Sequence, residues 1–197
     1  MRRGIISPTD AQTIENTLGI ILEDFYDETI NTCEVGIADG ETSRGINEYI
    51  LQHGRKNNHT AVDNQILQNI QVPFEGCNFL LGNSTHVYYQ IPDNSQHFIF
   101  VDANHSFHFV VADFFCYAPK VKIGGYIGFH DTARHIPEFT DHQWFGDKEN
   151  PDSYIAVRKA LKAIGLLNNS FPNWELVFDE ADPLDRAGGV CIFKRLG

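Results

Sequence analysis

Apolar residues recur along the chain at two alternating spacings, one typical of helices and one typical of strands. Within residues 1–28 they fall on one helical face, and Pro8 suits the first turn of that helix. Similar spacing predicts helices at Glu41–His53, Asn64–Ile70, Ser106–Ala118 and Tyr154–Ile164. Short apolar runs predict strands at Ile30–Gly36, Thr60–Asp63, Cys77–Leu81, Phe98–Asp102, Tyr126–His130, Trp174–Phe178 and Val190–Phe193, and Pro119–Gly125 is predicted to be a turn.

Strands that alternate with helices predict an α/β fold with a mostly parallel sheet and helices on both faces. The last two strands have no helix between them, so the last strand is predicted to pair antiparallel. Without repeats or linkers, residues 1–197 are predicted to form a single domain. Residues 132–152 are polar and aromatic without periodicity, which predicts a substrate loop or lid. Trp144 and Phe145 in this segment would either cover a substrate or anchor the loop.

The composition narrows the class of protein. Of 197 residues, 42% are hydrophobic and 21% are charged, which is typical of a folded globular domain. The formal net charge of −11 argues against nucleic acid or an anionic membrane as the main partner. The four cysteines form no CxxC pair, and the N-terminal apolar stretch is too short for a signal peptide. Free buried thiols and a cytoplasmic location are therefore expected.

Polar residues follow nearly every predicted parallel strand, and ligands bind at the carboxyl ends of strands in such sheets. The candidates are Glu34, Gly36, Gly40, Asp63, Asn64, Asn83, Ser84, Asp102, Asn104, His105, His130 and Asp131. Gly36 and Gly40 open a predicted helix, as in a nucleotide-binding loop, and Asp63 is placed to accept ribose hydroxyls. An ordinary strand–helix turn explains the two glycines equally well. The loop has neither GxGxxG nor a P-loop lysine, which disfavours dinucleotides and triphosphates.

Carboxylates and histidines cluster after the fourth and fifth predicted strands. Asp102, His130 and Asp131 are candidates for ligands of one divalent cation. His105 and His130 flank strand ends, which favours functional roles for both. His97, His108, His142 and Asp113 are interpreted as structural or surface residues.

Three segments resemble the motifs of class I S-adenosylmethionine-dependent methyltransferases, and most closely those of methyltransferase family 24. These segments are Glu34–Ser43, Val101–Phe107 and Gly124–Asp131. The branch is related to the macrolide-sugar O-methyltransferases and the cephalosporin hydroxylase-like proteins. The resemblance implies a Rossmann-like fold with a seven-stranded sheet.

The resemblance also assigns roles by position. It implies that Glu34, Gly36 and Gly40 shape the methionine and ribose side of the cofactor site. Asp63, with the adjacent Asn64, would bind the ribose hydroxyls, and Asn83 and Ser84 would lie near the adenine. Asp102, itself at the cofactor site, and Asp131 match metal ligands, and His105 matches the proposed catalytic base. Two positions depart from the pattern, namely Ala38 where many methyltransferases have glycine and His130 where metal-dependent relatives carry a carboxylate.

The expected reaction is methyl transfer from S-adenosylmethionine to a hydroxyl of a small molecule, a sugar or a sugar-nucleotide. Asp102 and His105 would be the catalytic residues, with or without Mg²⁺ or another divalent cation. Two alternatives remain open at this point: a NAD-binding oxidoreductase and a cofactor-binding protein without activity. A homo-oligomer is compatible with the sequence.

Overall fold

The computed structural model describes residues 6–65, 74, 76–132, 156–180 and 188–197. Its α-helices are α1 (Pro8–Asp24), α2 (Glu41–Gln52), α3 (Ser84–Val87), α4 (Phe107–Tyr117) and α5 (Val157–Ala163). Its strands are β1 (Ile30–Val35), β2 (Asn57–Asp63), β3 (Cys77–Leu81), β4 (Gln96–Val101), β5 (Val121–Phe129), β6 (Trp174–Glu180) and β7 (Val190–Arg195). None of the described helices is long and apolar enough to cross a lipid bilayer.

All seven strands belong to one sheet, in the order β3-β2-β1-β4-β5-β7-β6. Strands β1 to β5 pair in parallel, whereas β7 pairs antiparallel with both β5 and β6. The predicted α/β fold and antiparallel ending are therefore confirmed. Because the chain moves outward from β1 to β3 and then returns to β4, the carboxyl ends of β1 and β4 form the crevice where such sheets bind ligands.

Two apolar clusters hold the helices against opposite faces of the sheet. On one face, α1 and α2 pack against β4, β5 and β7, with Ile14, Leu18 and Ile46 fully buried. On the other face, α4 and α5 pack against the same sheet around Phe114 and Leu161. Helix α1 begins with a capping box between Ser7 and Asp10, in which each residue's side chain accepts a hydrogen bond from the other's backbone N–H.

One predicted element is wrong, and two others lie largely outside the described residues. Pro119–Gly125, predicted to be a turn, instead ends a short 3-10 helix and begins β5. The register between β4 and β5 shifts at this point, and Gly124 has a φ of +84°, so the paired glycines form an irregularity within the strand. Two predicted elements lie largely outside the described residues. They are the helix Asn64–Ile70, of which residues 66–70 are not described, and the lid 132–152, of which residues 133–152, with Trp144 and Phe145, are not described. All four cysteines are free thiols, as predicted, but only Cys33 and Cys191 are fully buried, whereas Cys77 and Cys116 are partly exposed.

Candidate functional site

The loop between β1 and α2 turns sharply at the carboxyl edge of the sheet. Gly36, Ala38 and Gly40 have φ values of +81°, +45° and +82°. A Cβ atom on Gly36 would lie 2.3 Å from the backbone oxygen of Asp102 and 2.5 Å from Cα of Ala103. No side chain fits between the loops that follow β1 and β4, so glycine is required there. Ala38 occupies a left-handed backbone conformation that glycine adopts more readily than alanine. It is also the position in this loop where the sequence departs from the family pattern.

Asp63 stabilises this loop from the end of β2. Its Oδ2 accepts a hydrogen bond from the backbone N–H of Ile37 at 3.0 Å, and its Oδ1 accepts one from Gln65 at 3.0 Å. Asp63 is half-buried and Asn64 is exposed. The structure thus brings the residues predicted to bind ribose beside the glycine-containing loop.

Glu34 lies beneath the loop in a buried polar network that the sequence did not reveal. Glu34 is hydrogen-bonded to the Ser43 hydroxyl, and Ser43 Oγ lies 2.9 Å from Nε2 of His59. Nδ1 of His59 is hydrogen-bonded to Thr32 Oγ1 at 2.8 Å. Burial raises the pKa of Glu34 to about 8, despite the opposing hydrogen bond from Ser43, and burial lowers the pKa of His59 to about 3. Both groups are therefore neutral at pH 7. Through Ser43 on α2 and His59 on β2, the network connects Glu34 on β1 to both elements.

Asn83 and Ser84 begin α3 at the end of β3. Asn83 Oδ1 accepts hydrogen bonds from the backbone N–H and the hydroxyl of Thr85. The Ser84 hydroxyl donates to Asp113 Oδ1 at 2.6 Å, and burial raises the pKa of Asp113 to about 6. Asp113 is a buried residue of α4, which agrees with its structural interpretation. The adenine contacts predicted for Asn83 and Ser84 stay a prediction.

A cluster of carboxylates and imidazoles forms where β4 and β5 end. Nε2 of His105 lies 3.3 Å from Asp102 Oδ1 and 3.2 Å from Asp131 Oδ2. Nδ1 of His130 lies 3.1 Å from the same Asp102 oxygen. The backbone connects these loops directly, since the N–H of His130 donates to Val101 and the N–H of Asp102 donates to Val35. All four predicted residues are thus close together.

Within the described residues, one group has the spacing of metal ligands. Potential ligand atoms of Asp102, His105 and Asp131 all lie within 4.8 Å of one another. Their side chains are 18%, 22% and 11% exposed, so the group faces solvent at the crevice. His130 was predicted to be a third ligand, but it lies outside this group, and His105 occupies the corresponding place.

Behind this group lies Asp10, a residue that the sequence analysis missed. Asp10 Oδ2 lies 3.3 Å from Nε2 of His130, and Asp10 Oδ1 accepts a hydrogen bond from the backbone N–H of Gly189 at 3.1 Å. The only local signal in the sequence is Ser7 three residues earlier, and that pattern indicates a helix start rather than a site. No spacing rule connects a residue of α1 with a histidine 120 positions later.

The electrostatics of the cluster follow from burial and opposite charges. Burial alone would lower the pKa of His130, but the charge of Asp102 and the hydrogen bond to Asp10 raise it well above 6.5. Burial alone would raise the pKa values of Asp102 and Asp10, but both are lowered, mainly by His130 and, for Asp102, also by His105. His130 is therefore an imidazolium held between two carboxylates.

Comparisons with known proteins identify what the chain is similar to. A family model described as a methyltransferase domain matches residues 33–132, just over half of the 197 residues. No curated protein sequence matches the chain. Among solved structures, cofactor-bound Rv0187 from MTB has a TM-score of 0.66 at 13% identity, covering 100% of this chain and 84% of that one.

Two further structures share the fold. The O-methyltransferase NovP has a TM-score of 0.56 at 14% identity, with 94% of this chain and 78% of NovP covered. MycE, a methyltransferase of the mycinamycin biosynthetic pathway in complex with Mg and SAH, has a TM-score of 0.57 at 12% identity. That match covers 94% of this chain and 54% of MycE, so the chain spans about half of MycE.

Proposed function

The chain belongs to the family of S-adenosylmethionine-dependent methyltransferase domains, and from this premise we propose that it methylates a hydroxyl oxygen of a small molecule, a sugar or a sugar-nucleotide. We further propose that Mg²⁺ or another divalent cation assists the reaction. The observation that carries the proposal is the group formed by Asp102, His105 and Asp131 beside the loop that contains Gly36. The O-methyltransferase NovP and the methyltransferase MycE, whose structure contains Mg and SAH, share the fold and support it.

The carboxyl edge of the sheet fits the cofactor. The left-handed turns at Gly36 and Gly40 expose backbone between β1 and β4, where a nucleoside can approach closely. Asp63 supplies carboxylate oxygens beside this loop, and carboxylates are suitable acceptors for ribose hydroxyls. The residues proposed to surround the cofactor are Glu34, Gly36, Gly40, Asp63, Asn64, Asn83, Ser84 and Asp102.

The donor set of the cluster also fits a divalent cation. Asp102 and Asp131 present two carboxylates in one crevice, an arrangement in which their repulsion is relieved by a cation or by a proton. Hard divalent cations prefer oxygen ligands, and Asp131 is held in place because its Oδ1 accepts a hydrogen bond from Gly188. We assign Asp102 and Asp131 as the cation ligands. When bound, the cation would lower the pKa of a coordinated hydroxyl.

His105 is the proposed general base. Its Nε2 faces both proposed ligands, so a hydroxyl held at Asp102 and Asp131 would lie within reach of the imidazole. A sugar hydroxyl must lose its proton as the methyl group arrives, and a positioned base typically accelerates such a step 10²–10⁴-fold. Alignment of the acceptor oxygen with the methyl donor supplies a further part of the catalysis.

The first experiment separates cofactor binding from cation binding. Calorimetry with S-adenosylhomocysteine and with NAD, each with and without Mg²⁺, is expected to show binding of S-adenosylhomocysteine and none of NAD. Asp131→Asn is expected to abolish cation binding and leave S-adenosylhomocysteine affinity within about twofold, because Asp131 is not part of the proposed cofactor site. Retained cation binding in this variant would remove Asp131 from the ligand set.

The second experiment addresses turnover and separates an active enzyme from a protein that only binds the cofactor. Sugars and sugar-nucleotides are screened as acceptors by release of S-adenosylhomocysteine. With an acceptor in hand, His105→Ala is expected to lose at least about 10²-fold in turnover while cation affinity is preserved. Loss of cation binding in His105→Ala would instead identify His105 as a cation ligand. This is the second candidate role of His105, because its ring lies within 4.8 Å of Asp102 and Asp131.

A further inference from the structure

Helix α1 and the segment before β7, which flank residues 33–132, meet at one carboxylate behind the candidate site. Asp10 is fully buried on α1, outside the residues that the family model matches. Both of its oxygens have protein partners. Oδ1 accepts a hydrogen bond from Gly189 at 3.1 Å, and Oδ2 accepts one from the backbone of Ser7 at 3.2 Å and faces Nε2 of His130. Asp10 is therefore fixed by α1 on one side and by the start of β7 on the other.

His130 connects the fixed carboxylate of Asp10 to Asp102 at the crevice. Its side chain is 6% exposed, and its two ring nitrogens face two different carboxylates, Asp10 at 3.3 Å and Asp102 at 3.1 Å. A ring held at both nitrogens cannot rotate without losing one of these bonds. Nδ1 of His130 thus meets the same Asp102 oxygen that faces His105, and it also lies 3.7 Å from Asp131 Oδ1.

Exposure divides the five side chains into two layers. The outer layer consists of Asp102, His105 and Asp131, which are 11% to 22% exposed. The inner layer consists of His130, whose side chain is 6% exposed, and Asp10, whose side chain is fully buried. The inner pair can therefore act on the reaction through the position of Asp102, at 3.1 Å from Nδ1 of His130, and less directly through that of Asp131, at 3.7 Å.

We propose that Asp10 is a positioning residue, which holds His130 so that His130 orients Asp102 toward the outer layer. The inference rests on the proposed function in one respect, namely that Asp102 is a cation ligand. It assigns α1 and the segment that begins β7 a part in building the site. Asp10 provides a carboxylate at the ring nitrogen of His130 that does not face Asp102.

The test compares Asp10→Asn with Ser7→Ala in the full chain. Asparagine is close to isosteric with aspartate, but it removes the charge that faces His130. Ser7→Ala removes the hydroxyl that accepts a hydrogen bond from the backbone N–H of Asp10, and it leaves the partners of the Asp10 carboxylate in place. Both variants weaken the start of α1, so Ser7→Ala controls for a general loss of stability.

Two measurements are made on each protein, calorimetric titration with Mn²⁺ and NMR of the histidine ring N–H groups without any ligand. Wild type and Ser7→Ala are both expected to show a hydrogen-bonded Nδ1–H resonance of His130. The Mn²⁺ affinity of Ser7→Ala is expected to equal that of wild type. In Asp10→Asn, that resonance is expected to broaden or disappear, and Mn²⁺ affinity is expected to fall at least tenfold. An Asp10→Asn protein with the wild-type resonance and wild-type Mn²⁺ affinity would overturn the proposal.

The two arms keep failure of this inference separate from failure of the proposed function. If wild type does not bind Mn²⁺, the cation assignment is wrong, and the ring N–H spectra of Asp10→Asn still decide whether Asp10 positions His130. If Asp10→Asn does not fold, His130→Gln and the double variant decide, because neither leaves a buried imidazolium without its partner. Equal tenfold losses of Mn²⁺ affinity in these two variants support the proposal, and wild-type affinity in His130→Gln refutes it.

Discussion

Replacement of Glu34 by glutamine is expected to remove a loss of stability that this part of the protein suffers as pH rises. Glu34 is 1% exposed, and burial raises its pKa from 4.5 to about 8. Below pH 4.5 both the folded and the unfolded chain carry the proton. Between pH 4.5 and 8 only the folded chain keeps it, so the free energy of unfolding falls as pH rises through this window. Above pH 8 the loss is complete.

The magnitude follows from the width of the window. One pH unit corresponds to about 1.4 kcal/mol for a proton that only one of the two states binds. Glu34 is therefore expected to lower the free energy of unfolding by about 3–5 kcal/mol between pH 4.5 and 8. Glutamine cannot ionise, and its side-chain carbonyl can accept the hydrogen bond that the Ser43 hydroxyl donates to Glu34. Ser43 Oγ can at the same time accept from Nε2 of His59, which is neutral because burial lowers its pKa to about 3.

The assay is urea unfolding of wild type and Glu34→Gln at intervals from pH 5 to 9. The two proteins are expected to differ by less than about 1 kcal/mol at pH 5, and the variant is expected to be more stable by about 3–5 kcal/mol at pH 9. Glu175→Gln, on the exposed side of β6, is the control and should show no comparable trend. A difference between wild type and Glu34→Gln that stays constant with pH would show that the folded protein holds Glu34 ionised.

Three further predictions concern the loops and α5. Asp63→Ala is expected to weaken S-adenosylhomocysteine binding by about 1–3 kcal/mol, measured by calorimetry, and unchanged affinity would remove Asp63 from the site. Gly36→Ala is expected to prevent folding or to lower the melting temperature by more than 10 °C or so, because its Cβ would lie 2.3 Å from a backbone oxygen. The control Gly54→Ala has a similar φ but open space around its Cβ, so a loss of only about 1 kcal/mol is expected, and equal losses would contradict the steric argument. Arg158→Lys is expected to cost about 1 kcal/mol in urea unfolding, because lysine cannot reproduce the two hydrogen bonds of 2.7 and 2.9 Å to Asp179. Unchanged stability would show that this partly buried pair contributes nothing.

Local patterns in the sequence were sufficient to predict a mostly parallel sheet with an antiparallel ending, and to place the outer site residues at strand ends. Alternation of strand and helix predicted a parallel sheet, and a parallel sheet brings the ends of neighbouring strands to one edge. Asp102, His105 and Asp131 could therefore be placed together before any coordinates were known, because each follows a strand end closely. The sequence pattern predicts no helix between Trp174 and Val190, and this predicted the antiparallel ending for an equally local reason.

The predicted turn at Pro119–Gly125 failed because glycine and proline have more than one structural use. Pro119 ends a short helix, and Gly124 and Gly125 accommodate a shift of register inside β5. A Cβ on Gly125 would approach the carbonyl oxygen of His97 at 3.0 Å, a contact between strands that only the assembled sheet creates. Composition identified an irregular point but not its kind.

Tertiary structure alone decided which histidine lies in which layer. His105 and His130 both follow strand ends, and nothing in their immediate sequence separates a residue at the crevice from one behind it. The difference arises because α1 packs across the sheet and buries Asp10 next to His130, from a position 120 residues earlier. Charge burial is a property of the packed fold and has no period along the chain, so the sequence determined the residues available to the site, and packing determined what each of them faces.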